Sequence, residues 1–397
     1  MPAGRPSSLL LLAVAAGLSV ANLYYAQPLA AQMALSFGVS EGAIGLSLMA
    51  SQLGYALGML LLVPLGDGRE RRRLMVQTAL ATSFAALLVA TAPSYMVLLG
   101  ASLVLGLCSC LPQLLVPFAV ALVRPEERAT AIGTVMSGLL TGILLSRALS
   151  GVLGAALGWR WTFVGAAAVM AGLALVLRFG LKPQRPVQPL GWQQIVRSLP
   201  GVWRTEPLLR HHAWLGALGF ASFSAFWATL SFWLVQLGEG PRTAGMFGVL
   251  GIAGIAAAAL VGRLGRVWSP ARINTLALAG TALAFVIFAL AARSLAGLAL
   301  GTVLLDVGMQ ANHLVNQNVI FGLRPELRNR INAIYMVSFF IGGAAGTAAA
   351  SLAWEVCAWN GVCAAGAFMA VLGLARVARA RHQSARRAQA ANPSLGQ

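Results

Sequence analysis

The chain has 397 residues, of which 58% are hydrophobic and only 10% charged, and its 28 Lys and Arg against 10 Asp and Glu give a formal net charge of +18. Soluble domains carry roughly 25% charged residues, so this composition, with a mean hydropathy of +0.79, excludes a water-soluble globular protein. The positive charge would suit nucleic acid, but its placement along the chain follows a membrane topology and gathers on no single basic face.

About 20 apolar residues at 1.5 Å rise cross the roughly 30 Å of bilayer hydrocarbon. Breaks at charges, Pro and Gly divide the chain into twelve such runs, at 8–30, 42–66, 74–92, 95–123, 129–157, 160–181, 213–237, 243–265, 272–292, 294–322, 331–357 and 358–378. Alternating strand patterns are missing, so the reading is an all-α membrane protein, since lipid forces every backbone group to be satisfied internally. The first run, behind Arg5, could be taken for a secretory signal. The eleven runs after it and its polar stretch from Asn22 to Gln27 favour a retained first span.

Of the 28 basic residues, Arg147 lies within a span and only Arg160, Arg242 and Arg293 fall in odd-numbered loops, which leaves 24 for the termini and even-numbered loops. Basic loops stay in the cytoplasm, so both termini are expected inside, with the protein in a bacterial inner membrane. The tail from Arg376 to Arg387 suits anionic lipid headgroups.

An internal repeat organises the spans. Arg124-Pro-Glu-Glu-Arg128 returns as Arg324-Pro-Glu-Leu-Arg328, an offset of 200, which also relates Trp159 to Trp359; Arg73 pairs with Arg272 at 199. Six spans per copy is an even number, so the copies are parallel repeats. The expected organisation is a first six-helix bundle over 1–181, a polar cytoplasmic linker over 182–212 bearing Lys182, Arg185, Arg197, Arg204 and Arg210, a second bundle over 213–378, and a basic tail over 379–397.

This 6+6 pattern resembles the major facilitator superfamily. The family's loop signature between spans two and three, Gly-x-x-x-Asp-Arg-x-Gly-Arg-Arg, is matched in part by the stretch from Pro64 to Arg73. The resemblance implies a cytoplasmic gate of Gly66, Asp67, Arg71, Arg72 and Arg73, in which Asp67 caps the start of span eleven near Asn329, where orphan amides and the helix dipole favour an anion. A bare pairing of Asp67 with the neighbouring arginines is the alternative. The second copy, Gly262-Arg263-Leu264-Gly265-Arg266, has Arg266 in place of the acid. Asn22 to Pro28, Arg147, Asp306 and Asn316-Gln317 resemble the bacterial drug and sugar efflux permeases. Gly142-x-x-x-Ser146-Arg147-x-x-Ser150-Gly151 is similar to an antiporter signature, with Arg147 where that signature has proline.

Charges inside a membrane cost about 2.5–3.5 kcal/mol each and so face a cavity or a partner. Arg147, Asp306 and His313 are the three here. Asp306, Gln310, His313 and Gln317 share one face of span ten, flanked by Asn312 and Asn316, whereas the counterparts in span four are Gly106, Cys110, Gln113 and Pro117. This asymmetry suggests proton coupling through Asp306 with Arg147, the alternative being a static pair; whether the two touch is left open. His313 is either a proton relay or an interhelical hydrogen bonder. Asn22, Tyr25, Gln27, Gln113, Trp227, Gln310 and Asn316 are candidates for the substrate cavity, with Tyr24, Phe223 and Phe226 beside them, because in the resembling family spans one, four, seven and ten face it. Each aromatic could equally be packing.

Cys108, Cys110, Cys357 and Cys363 form no zinc-like set, and buried thiols are a simpler reading than a Cys357–Cys363 disulfide. No nucleotide-binding loop or nucleophile with its base is visible. The expectation is therefore not an enzyme. It is a secondary transporter, without cofactor, metal, nucleic acid or obligate protein partner, that exports a drug-like compound, sugar or metabolite in exchange for protons. A proton-coupled uptake symporter is the alternative, and a non-transporting membrane sensor a minor one.

Overall fold

The computed structural model describes residues 6–184, 192–254, 261, 263–324 and 327–391. Arg185, Gly262, Pro325, Glu326 and the last residues of the tail, among those singled out above, lie outside them. Among the described residues every regular element is helical. Nine helical segments among the described residues are long and apolar enough to cross a membrane. The last, Arg328–Ala391, contains spans eleven and twelve, joined at Cys357 and Ala358, whose φ of +46° turns the chain without a glycine. Span one is broken short of that length, and span eight is described only in part.

Local chemistry starts and stops the spans. Ser40, Ser94, Ser269 and Ser294 each accept a hydrogen bond from the amide three residues on, opening spans two, four, nine and ten, as N-cap serines do. Ser94 and Ser294 are 200 apart, so the repeat extends to its caps. Glu70 opens span three by accepting from the amides of Arg72 and Arg73.

Five expected elements differ in detail. Span one runs Pro6–Ala21, turns over 22–29 and resumes as Ala30–Phe37. Asn22 donates to the carbonyls of Leu18 and Ser19, both at 3.1 Å, and Pro28 has no amide to offer, so the helix cannot pass. Span four breaks at Ser109 and Cys110 ahead of Pro112, giving Tyr95–Cys108 and Leu111–Leu122. Span eight opens as Pro241–Phe247 and tightens into a 3₁₀ turn, Gly248–Gly251. The expected polar linker contains a helix, Trp192–Thr205, and span seven begins at Pro207, ahead of the expected 213.

Packing inside each half repeats as well. A side chain on Gly142 of span five would collide with the backbone of Gly17 in span one, and one on Gly342 of span eleven with the backbone of Ala217 in span seven. In lipid, where no hydrophobic drive favours helix association, such close contacts between small residues hold helices together.

The halves meet at the end opposite the basic loops. There the Gly42 amide of span two donates to Glu355 of span eleven at 2.7 Å, and the Trp354 indole donates to Glu41 at 2.6 Å. Spans five and eight touch through Gly151 and Gly245. At the basic end they part around a cavity of about 340 Å³. The linker helix crosses its mouth: Ile195 and Leu199 line it, and the Trp192 indole donates to the Leu61 carbonyl at 2.9 Å.

Candidate functional site: a buried charge layer between the halves

Two-thirds of the way along span five, Arg147 is 1% exposed. Its Nε donates to Gln27 Oε1 at 2.7 Å, which is why the turn that breaks span one matters: it brings Gln27 level with span five. The guanidinium carbon lies 3.9 Å from the Trp227 ring centre, 4.7 Å from Tyr24 and 5.7 Å from Phe223. Desolvated cation–π contacts contribute on the order of 2 kcal/mol, which offsets part of the cost of holding the charge away from water. Arg147 Nη2 has no hydrogen-bond partner.

Asp306, in span ten, is 4% exposed; no well-formed hydrogen bond reaches either carboxylate oxygen, although the Trp227 indole, itself without another acceptor, lies close enough to act on it. Arg147 and Asp306 feel each other electrostatically. Even so, the one ion pair among the described residues closer than 4 Å joins Arg324 and Glu206. The two membrane charges therefore share a layer without touching. Span eight comes between them: a Cβ on Gly248 would stand 2.6 Å from the Arg147 Cβ, and one on Gly251 3.2 Å from an Asp306 oxygen. Glycine at both positions lets the backbone enter the gap.

Gln27 and Trp227 thus join this layer. Gln113 lines the cavity and donates to the Tyr55 hydroxyl at 3.3 Å. Two other cavity candidates sit elsewhere. Asn22 spends its amide on its own helix, and Asn316 is fully buried inside the second half, where its Oδ1 accepts from Asn274 at 2.9 Å and meets His212 Nδ1 at 2.7 Å. Asn312 donates to Asn274 at 2.8 Å and extends that network. The expected polar stripe of span ten divides: His313 approaches the Tyr335 hydroxyl at 3.1 Å and packs on Phe339, and Gln317 contacts Met336, so both face span eleven. Gln310 and Tyr25 are half-buried.

At the basic end, Gly66 and Arg71 form one wall of the cavity and Arg328, Asn329 and Arg330 the other. Arg72 donates to the carbonyls of Arg178 and Leu181, tying span three to span six within its own half, and Arg73 is exposed. The side chain of Asp67 lies outside the described residues. All four cysteines are free, Cys357 exposed and the others buried.

Sequence reasoning missed Gln52, Ser224 and Thr347, which join spans two, seven and eleven: Gln52 donates to Ser224 at 3.3 Å and accepts from Thr347 at 3.2 Å. The repeat offers a signal for it, since Thr347 is the offset partner of Arg147. His212 and Asn274 were missed too.

Twelve spans in two like-oriented halves, meeting around a buried polar layer, define a multi-pass membrane transporter. Residues 9–347 match the Major Facilitator Superfamily, and the chain belongs to it. It is 40% identical over 372 residues, 93% of its length and 94% of the relative's, to the "Uncharacterized transporter YgaY" of Escherichia coli O157:H7. To the "Probable transporter SCO4007" of Streptomyces coelicolor it is 33% identical over 378 residues, 94% of this chain and 87% of that one. Among solved structures it resembles in fold a bacterial homologue of the human lysosomal transporter Spinster, crystallised inward-facing and occupied (TM-score 0.75, 15% identity, 96% and 98% of the two chains). A POT family transporter in complex with a thioalcohol-conjugated peptide is similar to the same degree (TM-score 0.77, 12% identity, 96% of each chain).

Proposed function

We propose that the protein is a proton-coupled secondary transporter of the bacterial inner membrane that works by alternating access, with both termini in the cytoplasm and Asp306 carrying the proton. The observation behind this reading is a buried carboxylate with no ion pair and only the Trp227 indole as a near donor, sealed where span eight of one half abuts Arg147 of the other. An ionisable group sealed between two moving halves exchanges its proton only when one side opens to water, which is the requirement for tying a proton to the transport cycle. The cavity at the basic end and the closed far end correspond to one of the two access states such a cycle needs, the state named for the Spinster homologue. Gly66, Arg71 and the start of span eleven act as the cytoplasmic gate, which stands open around the cavity.

Two directions are consistent with this chemistry. The resemblance to drug and sugar efflux permeases favours export of a small molecule in exchange for protons; the unused Arg147 donor favours uptake together with a proton. In proteoliposomes, a pH gradient imposed across the membrane drives substrate against its own gradient, and the side that must be acid reveals the direction. Asp306→Asn, monodisperse and able to exchange substrate at equilibrium, loses gradient-driven accumulation. Wild-type coupling in that variant removes Asp306 from the mechanism.

A further inference from the structure

The charges around the cavity and the layer above it bear on what is carried. Arg71, Arg328 and Arg330 line the cavity wall together with Gln113, Asn329 and Asn332, and no carboxylate stands among the described lining residues. Three nearby acids are engaged elsewhere: Glu70 caps span three and accepts from the Gln184 amide, Glu127 accepts from the Arg124 amide, and Glu206 pairs with Arg324. Apolar walls from Met59, Val63, Leu114, Pro117, Ile195 and Leu199 complete a cavity whose 340 Å³ sits at the lower end of the small-molecule range. Deeper, Arg147 offers the buried, unpartnered Nη2 inside an aromatic cage. A guanidinium with an open donor, in dry surroundings, is suited to carboxylate or another oxyanion.

We propose that the transported ligand is an amphiphilic organic anion, one oxyanion on an apolar body, gathered by Arg71, Arg328 and Arg330 and anchored by Arg147 with its body against Tyr24, Phe223 and Trp227. The proposal rests on the alternating-access reading and deepens it. Topology alone explains three arginines at a basic end, but not a fourth held in mid-membrane with a donor unused. Charge balance then decides between the two directions: an anion on Arg147 beside an ionised Asp306 leaves excess negative charge in a dry layer, and a proton travelling with the anion restores neutrality. Co-transport follows, not exchange.

The test is equilibrium binding to the purified full-length protein in detergent, without any gradient. The probes are a matched panel of arylalkanoic acids, their amides and their amines, graded in chain length. Acids bind and their amides bind at least ~30-fold more weakly, the loss expected for a charge-assisted anchor. Arg147→Gln removes that preference, and Arg147→Lys, which keeps the charge but not the planar fork, weakens the acids ~10-fold. Arg71→Gln with Arg330→Gln costs ~5-fold at low ionic strength and nothing at high salt. Melting and size-exclusion profiles confirm that each variant is folded; if Arg147→Gln does not fold, Arg147→Lys and the acid-to-amide ratio decide. Preference for amides or amines, no acid bound anywhere in the panel, or an acid preference untouched by the Arg147 variants overturns the proposal. Acids that bind but are never moved in vesicles overturn the transport reading and leave the anion site standing, whereas gradient-driven movement of amines does the reverse.

Discussion

The repeat builds two crossings between the halves, and they differ in chemistry far more than in geometry. Where spans two and eleven cross, Gln52 lies between Ser224 and Thr347, all three neutral and satisfied by one another. Where spans five and eight cross, the offset of 200 puts Arg147 at the place of Thr347, Tyr24 at that of Ser224, and Ile252 at that of Gln52. Gly106, against which the span-two backbone at Ser51 packs, becomes Asp306, and Ser51 becomes Gly251. One crossing is neutral and serves as a strut; the other carries two charges with open valences. Duplication supplied the scaffold twice, and of the two crossings only that of spans five and eight holds charged groups with open hydrogen-bonding capacity.

The largest effect should come from breaking the charged crossing. Asp306→Asn is expected to abolish accumulation in proteoliposomes driven by a pH gradient, a change of ~100-fold or more, while counterflow persists. Retained accumulation would make the two crossings functionally equal. Next, closure at the far end is steric at both crossings and so should fail at both: Gly151→Leu and Gly45→Leu, each placing a side chain against a neighbouring span, are expected to slow transport more than ~10-fold. They should also raise thiol labelling of a cysteine introduced at the far end. A defect in one and not the other would show that closure is carried by a single helix pair.

A smaller response is expected from Glu355→Ala, which removes the carboxylate that receives the Gly42 amide; far-end labelling should rise about threefold, as one net hydrogen bond of roughly 0.5–1.5 kcal/mol shifts the access equilibrium. Smallest is Gln52→Ala in the neutral strut. Interhelical hydrogen bonds in membranes average about 0.6 kcal/mol, so melting should fall by only a few degrees with proton coupling intact. Lost coupling there would move part of the mechanism into the strut.

Spans, the repeat and the two out-of-place charges were legible in the sequence because each is a matter of composition or spacing along one chain. Who meets whom was not. Gln27 reaches Arg147 only because span one unwinds after Asn22, and Trp227 comes from the other half, so neither contact follows from periodicity. A stripe on span ten does not say which neighbour each of its residues meets: His313 and Gln317 turned to span eleven, while the flanking Asn312 and Asn316 became the buried set. His212 was hidden by its position, since a polar pair, His211 and His212, at the edge of a basic connection reads as loop. Ile195, Leu199 and Val202 carry a helical period in the linker, yet the surrounding charge led to a polar-connection reading. Asp306 and Arg147 were read as a pair that either touches or does not; glycines at 248 and 251, inconspicuous among 44, are what hold them apart.

The strap between the halves has a mechanical consequence. Its Trp192–Thr205 helix, about 21 Å long at 1.5 Å per residue, is fastened to the first half by the Trp192 indole on Leu61 and, just past its end, to the second by Glu206 on Arg324. A helix pinned near both ends, even with Pro200 in its middle, works as a ruler: it limits how wide the basic mouth can gape while both pins hold, and a much wider opening must unfasten one of them.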